Sequence, residues 1–154
     1  MRLLLAVIAV LLVAGCGARP IRSDNPYGIR IAPISTQDGV EMRRVLTDVL
    51  GPPPQQAKYV LHVSLRRHPP VDQAIGLDDL PTRQRLGLSA SYVIRDNEGN
   101  EVASGTRTAT ASYNLMPSPY ASQIAAQNTY TRLARSLASE IAVLVRVFFE
   151  NGEN

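Results

Sequence analysis

Residues 83–102 read RQRLGLSASYVIRDNEGNEV, and this stretch decides the fold. From Leu86 to Ile94 every second residue is apolar, while most positions between them carry glycine or serine. Such alternation is typical of a β-strand with one buried face. The Asp96–Asn100 segment predicts a hairpin loop, with its glycine suited to a positive φ. The chain then returns antiparallel over Val102–Tyr113, whose two faces carry similarly small residues, so the pattern does not assign the buried face.

Two further strands and a helix are predicted upstream of this hairpin. The segments Tyr27–Ile34 and Tyr59–Arg66 alternate in the same way, the second more clearly. The segment Asp38–Leu50 has an apolar stripe at helical spacing and is followed by a glycine and three prolines. Its opening residues, Asp38–Glu41, resemble a capping box. Prolines, a glycine and two aspartates predict a loop over Pro69–Pro81.

The last predicted element is a long helix. Ser118 and Pro119 are typical of a helix start, and nothing breaks the helical pattern before about Phe149. Such a helix is about 45 Å long, and its last turns are apolar on several sides. Two interpretations remain for those turns: they contact something beyond the domain, or they fold over the edge of their own core. Together the elements predict one α+β domain over residues 27–150.

The N-terminus predicts export. Arg2 precedes the apolar run Leu3–Val13, and small residues lead from there to Cys16. This pattern predicts a signal peptide over residues 1–15, because the run is shorter than the roughly 20 residues that span a membrane. The alternative is an ordinary signal peptide with a stray cysteine.

The sequence Val13-Ala14-Gly15-Cys16 is typical of a bacterial lipobox, in which the thiol accepts a diacylglycerol and the chain is cut before the cysteine. It predicts a lipidated N-terminal tether over residues 16–26. Because Cys16 is the only cysteine, no intramolecular disulfide can form. Two acyl chains already anchor a protein stably. Gly17, where an aspartate would favour the inner membrane, favours the outer membrane.

Composition and motifs exclude several function classes. Without Arg2 the chain has 15 basic and 13 acidic residues, a balance too small to imply nucleic acid. No nucleophile elbow, phosphate-binding glycine loop or pair of metal-spaced histidines occurs. His62 is predicted on a strand surface and His68 in a loop, as ordinary surface histidines. We therefore expect no enzyme activity, no cofactor and no metal, although a triad assembled in space stays open.

Arginines suggest one candidate site. Arg66, Arg83 and Arg85 fall on outward positions of two strands that are expected to be neighbours, with Lys58 and Arg67 nearby. Guanidinium groups bind phosphates through paired hydrogen bonds, so this cluster is a candidate contact for the phosphates of an anionic glycolipid such as lipopolysaccharide (LPS). The alternative is a solvated sheet face decorated with arginine.

The chain resembles the alphaproteobacterial form of the LPS-assembly lipoprotein LptE. The resemblance runs from the lipobox through most of the mature domain. It rests on Gly17-Ala18-Arg19-Pro20, on Tyr59-Val60-Leu61-His62-Val63-Ser64-Leu65, and above all on Ala111-Ser112-Tyr113-Asn114, Ser118-Pro119-Tyr120-Ala121, Ala126-Gln127-Asn128 and the following helix. Family members usually carry an aspartate where Asn128 stands.

The resemblance implies a two-layer sandwich, with two helices on one face of a roughly four-stranded, mostly antiparallel sheet. It also implies a non-enzymatic role at the outer membrane, facing the periplasm. There the lipoprotein would plug the large β-barrel LptD, help it assemble and support LPS delivery to the outer leaflet, with direct LPS binding as a further expectation. Two alternatives stay open: an auxiliary lipoprotein of a lipid-trafficking ABC transporter, and a periplasmic enzyme.

Overall fold

The computed structural model describes residues 25–75 and 81–152. The predicted signal peptide, Cys16 and most of the predicted tether lie outside the described residues. The elements follow in the order β1 (Ile29–Ile31), α1 (Gln37–Leu50), β2 (Tyr59–Ile75), β3 (Pro81–Asp96), β4 (Glu101–Asn114) and α2 (Pro119–Gly152).

The four strands form one mixed sheet in the order β1-β2-β3-β4. β1 runs parallel to β2, with α1 in the connection between them, whereas β2, β3 and β4 are successively antiparallel. The predicted hairpin loop is confirmed, because Gly99 has a φ of +88° and the Asp96 carboxylate accepts the backbone N–H of Asn100 at 2.9 Å. The mostly antiparallel, four-stranded sheet is therefore as expected.

Both helices pack on the same face of this sheet and form the second layer. The apolar stripe of β3 is buried throughout, which confirms its predicted inward face. Burying one large aliphatic side chain contributes about 1.5–3 kcal/mol, so this layer contact dominates the stability of the domain. The main buried partners are Leu61 of β2, Leu86, Leu88, Ala90, Tyr92 and Ile94 of β3, Met42, Leu46 and Leu50 of α1, and Leu133, Leu137, Ile141 and Val145 of α2.

The register of β4 identifies its buried face, which the sequence left open. Ala103 lies opposite Ile94 and Ala109 opposite Leu88, so the alanine positions face the helices. Gly105 lies opposite Tyr92, and a Cβ at this glycine would come within 2.8 Å of the tyrosine hydroxyl oxygen. The Tyr92 ring therefore covers the glycine, and small residues on β4 fit because neighbouring rings already fill the space.

The predicted capping box is wrong. Thr36, and not Asp38, is the N-cap of α1, because its Oγ1 accepts the backbone N–H of Gly39 at 3.0 Å. Glu41 accepts a hydrogen bond from Arg135 of α2 at 2.6 Å. Asp38 is instead buried in the first turn of the helix. Both carboxylates make contacts across elements, which local spacing does not reveal.

The predicted loop after His68 is also wrong in part. β2 continues through Pro69 and Pro70 to Ile75, and residues 76–80 lie outside the described residues. The pairing with β3 shifts register between His68 and Val71, where the two prolines stand. Proline has no N–H to donate to a ladder and is accommodated at such irregularities. β1, in contrast, is shorter than predicted.

The long helix begins at Pro119, as predicted, and runs to Gly152. Near its end Phe149 stacks on Tyr27, with ring centroids 5.6 Å apart, and approaches Tyr59 at 5.0 Å. The last turns therefore fold over the edge of their own core, while Val147 and Phe148 remain exposed. Among the helices that the structure describes, none is both long and apolar enough to cross a membrane.

Candidate functional site

The face of the sheet opposite the helices, here called the outer sheet face, is a candidate interaction surface. Hydroxyl side chains from adjacent strands meet across it in rows. The Oγ of Ser89 lies 2.7 Å from Oγ1 of Thr108, and the Oγ of Ser91 lies 3.0 Å from Oγ1 of Thr106. Small β-branched and hydroxyl residues suit a pleated surface, and no other element of the described residues covers this one. The result is a broad polar surface with short side chains.

Arg66 and Arg85 both lie on the outer sheet face. Arg66 stands opposite Ser89 in the register, and both arginines are exposed. Arg85 borders a hollow of about 220 Å³ whose other walls include His68, Gly87 and Thr108. In this hollow a guanidinium group and threonine hydroxyl groups lie close together.

Arg83, two residues earlier on β3, borders a different hollow. That hollow measures about 380 Å³ and lies between the end of β4 and α2, with Asn114, Asn128 and Arg132 on its walls. Burial, together with Tyr130 and Asp72, raises the pKa of Tyr113 in the same wall above its ordinary value. The neutral phenol donates to the Gln84 side chain at 2.9 Å. The sequence pattern does not single out Arg132, because it gives this residue an ordinary exposed position on a helix.

Arg67 does not belong to the outer sheet face. It follows the inward alternation of Leu65, and its Nε donates to the Asp38 carboxylate at 2.7 Å. Its Nη2 donates to Gln127 at 3.0 Å, and its guanidinium carbon lies 4.0 Å from the centre of the Tyr130 ring. Arg67 thus joins β2 to both helices. Strict strand alternation would have placed it there.

Lys58 lies at the opposite end of β2 from Arg85. Its aliphatic stem is next to Gly28, and the residue borders a hollow of about 690 Å³ with Tyr27, Tyr59 and Phe149. The five predicted contact residues are therefore not one cluster. Arg66 and Arg85 share the outer sheet face, whereas Arg83, Arg67 and Lys58 each face a different environment.

One polar contact on the outer sheet face resembles part of a catalytic site. The Nε2 of His68 lies 2.6 Å from the Oγ of Ser89, which in turn contacts Thr108. A hydrolytic triad needs a carboxylate that orients the histidine, and the described residues provide no carboxylate contact to His68. Nor do the described residues contain a group of three or more acidic, histidine or cysteine side chains that could hold a metal ion. The contact extends the row of hydroxyl groups formed by Ser89 and Thr108.

Comparisons with known proteins identify the fold. No family model matches the chain, and no curated protein matches its sequence. Solved structures do match: a candidate lipoprotein of Caulobacter crescentus shares 22% identity with a TM-score of 0.63, and covers 79% of this chain and 90% of its own. Rare lipoprotein B of Shewanella oneidensis shares 14% identity with a TM-score of 0.62, over 82% of this chain and 97% of its own.

A third structure, lipoprotein B of Nitrosomonas europaea, shares 14% identity with a TM-score of 0.63 and covers 80% of this chain and 84% of its own. At these identities the similarity shows a common fold. The chain therefore has the two-layer fold of several proteins that are named as lipoproteins.

Proposed function

We propose that this chain is a lipid-anchored outer-membrane protein that plugs and helps assemble the LptD β-barrel, and so supports delivery of LPS to the outer leaflet. The proposal extends the resemblance to LptE. The observation that carries it is the outer sheet face, which no other described element covers. It is a wide polar surface in a domain whose fold is shared with proteins named as lipoproteins. The proposed role is non-enzymatic.

The proposed anchor is a diacylglycerol on Cys16, which follows an apolar run and two small residues. The lipid would hold the domain on the periplasmic side of the outer membrane. The names of the structural neighbours support a lipoprotein, and the residue after the cysteine supports the outer membrane.

A barrel lumen is a suitable partner for the outer sheet face. The inner wall of a large outer-membrane barrel is polar, and the rows of Ser89, Ser91, Thr106 and Thr108 offer short hydroxyl groups that both donate and accept hydrogen bonds. Short side chains lose little conformational entropy when a partner covers them. β3 alone is about 50 Å long, so the surface is large enough for an interface above ~1,200 Å².

Direct LPS binding is the finer part of the proposal. We assign it to Arg66 and Arg85 on the outer sheet face and to Arg83 with Arg132 in the neighbouring hollow. Each guanidinium group can hold a phosphate through two parallel hydrogen bonds, while the asparagines and threonines beside them can bind sugar hydroxyls. Arg67 and Lys58 are not part of these sites.

The test is purification of the tagged full-length protein from membranes in detergent. We expect it to co-purify one-to-one with a much larger β-rich protein. Depletion of the chain should lower the amount of correctly assembled barrel. Recovery of inner-membrane transporter subunits alone would contradict the proposal and favour an auxiliary lipoprotein of an ABC transporter.

A further inference from the structure

The end of the domain where the chain leaves the described residues carries an aromatic hollow, here called the tether end. Asn25, the first described residue, borders the hollow together with Tyr27, Tyr59, Phe148 and Phe149. Asn25 is fixed in place, since its Nδ2 donates to the carbonyl of Ile29 at 2.7 Å and to that of Pro52 at 3.1 Å. The tether therefore joins the domain at a rigid point beside the hollow.

The chemistry of the tether end is that of a membrane–water interface. Tyr27, Tyr59 and Phe148 surround Phe149 at centroid distances of 5.0–5.6 Å. Exposed apolar side chains continue along α2 at Val143 and Val147. Tyrosine rings with a polar tip favour the headgroup level of a bilayer. Lys58 and Glu150 also line the hollow. Because their charges are opposite, apolar contact is expected to be the main attraction between the tether end and a membrane.

The length of the tether limits where this end can lie. Nine Cα steps separate Cys16 from Asn25, and nine residues reach at most about 30 Å. α2 is about 50 Å long and carries Tyr120 near its other end. A lipid on Cys16 would therefore hold the tether end within about 30 Å of the bilayer, whereas the Tyr120 end of α2 could lie farther away.

We propose that the tether end docks on the lipid surface of the membrane, with Phe148 and Val147 inserted at the headgroup level. The proposal rests on the proposed lipid attachment at Cys16 and is independent of the barrel. A lipid chain and an apolar surface then act together, as stable membrane anchoring usually requires. Because Lys58 and Glu150 offset one another, docking should depend little on salt.

The chain contains no tryptophan, so a single introduced indole reports on its own surroundings. The experiment uses the lipidated mature protein in vesicles of phosphatidylethanolamine and phosphatidylglycerol. Phe148→Trp, at a residue 37% exposed, is the probe, and Val147→Trp is a second probe in case the first disturbs the aromatic stack. Tyr120→Trp, at a residue 72% exposed on the same helix, is the matched control.

We expect lipids brominated in the acyl chain to quench the fluorescence of the tether-end indole. Insertion into the bilayer should reduce its quenching by acrylamide several-fold. Both effects should be unchanged in 0.5 M salt. An interfacial side chain lies about 5–10 Å into the boundary between the lipid headgroups and the acyl chains, within reach of the bromine atoms. The Tyr120→Trp indole should stay open to acrylamide and untouched by brominated lipid. Equal quenching and shielding of the indoles at both ends would overturn the proposal. So would an indole at the tether end that is shielded from acrylamide but not quenched by brominated lipid, because the tether or a protein would then fill the hollow.

Failure of docking and failure of the proposed function give different results. Palmitate incorporation and co-flotation with vesicles report on the lipid at Cys16, and co-purification reports on the barrel. A protein that floats with the vesicles but whose tether-end indole is not quenched retains its anchor and refutes only the docking. A protein without palmitate refutes the anchor itself.

Discussion

The two ends of the domain are built in opposite ways. At the tether end the chain closes on itself: Phe149 fills the space between Tyr27 and Tyr59, and Asn25 is hydrogen-bonded to two backbone carbonyls. At the other end, here called the far end, β2 and β3 continue past the core as an irregular hairpin with exposed arginines. We propose that the aromatic end serves attachment and that the end with the exposed arginines serves recognition.

The largest expected effect removes the attachment altogether. Cys16→Ser lacks the thiol that lipidation requires, and cleavage follows lipidation, so we expect an uncleaved or mislocalised precursor with no palmitate label. Metabolic labelling and membrane fractionation measure this directly. A Cys16→Ser protein that still labels and still reaches the outer membrane would show that the lipoprotein interpretation is wrong.

The next prediction tests how strongly the tether end depends on its aromatic stack. Phe149→Ala removes the ring that Tyr27 and Tyr59 both contact, and we expect the free energy of unfolding to fall by about 2–3 kcal/mol. The adjacent Phe148→Ala removes a more exposed ring and should cost no more than about 1 kcal/mol. Denaturant unfolding of a soluble chain of residues 17–154 gives both values. Equal losses would mean that the stack does not hold this end together.

A pair of neighbouring arginines tests the join between the layers. Arg67→Ala leaves Asp38, which is 3% exposed, without its charged partner, so we expect a loss of about 2 kcal/mol in the free energy of unfolding. Asp38→Ala should cost less, because the Arg67 side chain is 44% exposed and can turn to water. Arg66→Ala on the outer sheet face is the control and should change stability by less than about 0.5 kcal/mol. The opposite ranking of Arg66 and Arg67 would contradict the placement of these side chains.

Charge reversal tests whether LPS binds at the far end rather than at the tether end. The double variant Arg83→Glu with Arg85→Glu should bind LPS at least about tenfold more weakly, roughly 1.4 kcal/mol, because repulsion replaces attraction at the phosphates. Each exposed site should change stability by no more than about 0.5 kcal/mol. Lys58→Glu, at the tether end, should bind normally. Wild-type binding should weaken as salt screens the exposed charges.

Calorimetric titration of the soluble chain measures the affinities, and circular dichroism checks folding. If the folded double variant binds as tightly as the wild type, the far end is ordinary arginine-decorated surface. If Lys58→Glu weakens binding equally, LPS does not distinguish the two ends.

The smallest effect concerns the hairpin loop, which lies at the same end as Tyr59. A hydrogen bond from the Asn100 side chain, and backbone N–H groups of the loop, lower the pKa of Asp96 below 3.8. Because the pKa of Asp96 is lower in the folded state, its ionised carboxylate stabilises the fold. That stabilisation is fully present above the pKa of the unfolded state and is lost as the pH falls through the pKa of the folded state. Asn100→Ala should move the pKa of Asp96 back toward 3.8, as carboxyl carbon chemical shifts can show. An unchanged titration would mean that the amide does not hold the loop.

The sequence predicts regular elements of this fold well, for local reasons. The alternation from Leu86 to Ile94 marks a half-buried strand, and Gly51, whose φ is +95°, ends α1 where a left-handed residue must stand. The start of the long helix at Pro119 is equally local. Each signal lies within a few residues of the feature that it predicts.

The misses have non-local causes. Nothing near Asp38 in the chain shows that its carboxylate bonds Arg67 on β2, 29 residues away. The prolines at 69 and 70 predict a break, but an irregular β-ladder with β3 accommodates them. Arg132 joins Arg83 only because α2 packs beside the end of β4. The candidate site is thus set by tertiary packing, which strand and helix periods do not encode.

The two prolines of β2 also bear on how the chain avoids self-association. β1 pairs only with Tyr59–Leu61, so the described part of β2 continues for many residues beyond its β1 partner. A long open edge is a template on which a second copy can add its own strand during folding. Pro69 and Pro70 lie at the register shift between β2 and β3 and have no backbone N–H to donate. They therefore divide the open edge of β2 into two short segments. The long hairpin of the far end therefore avoids presenting a continuous seed for aggregation.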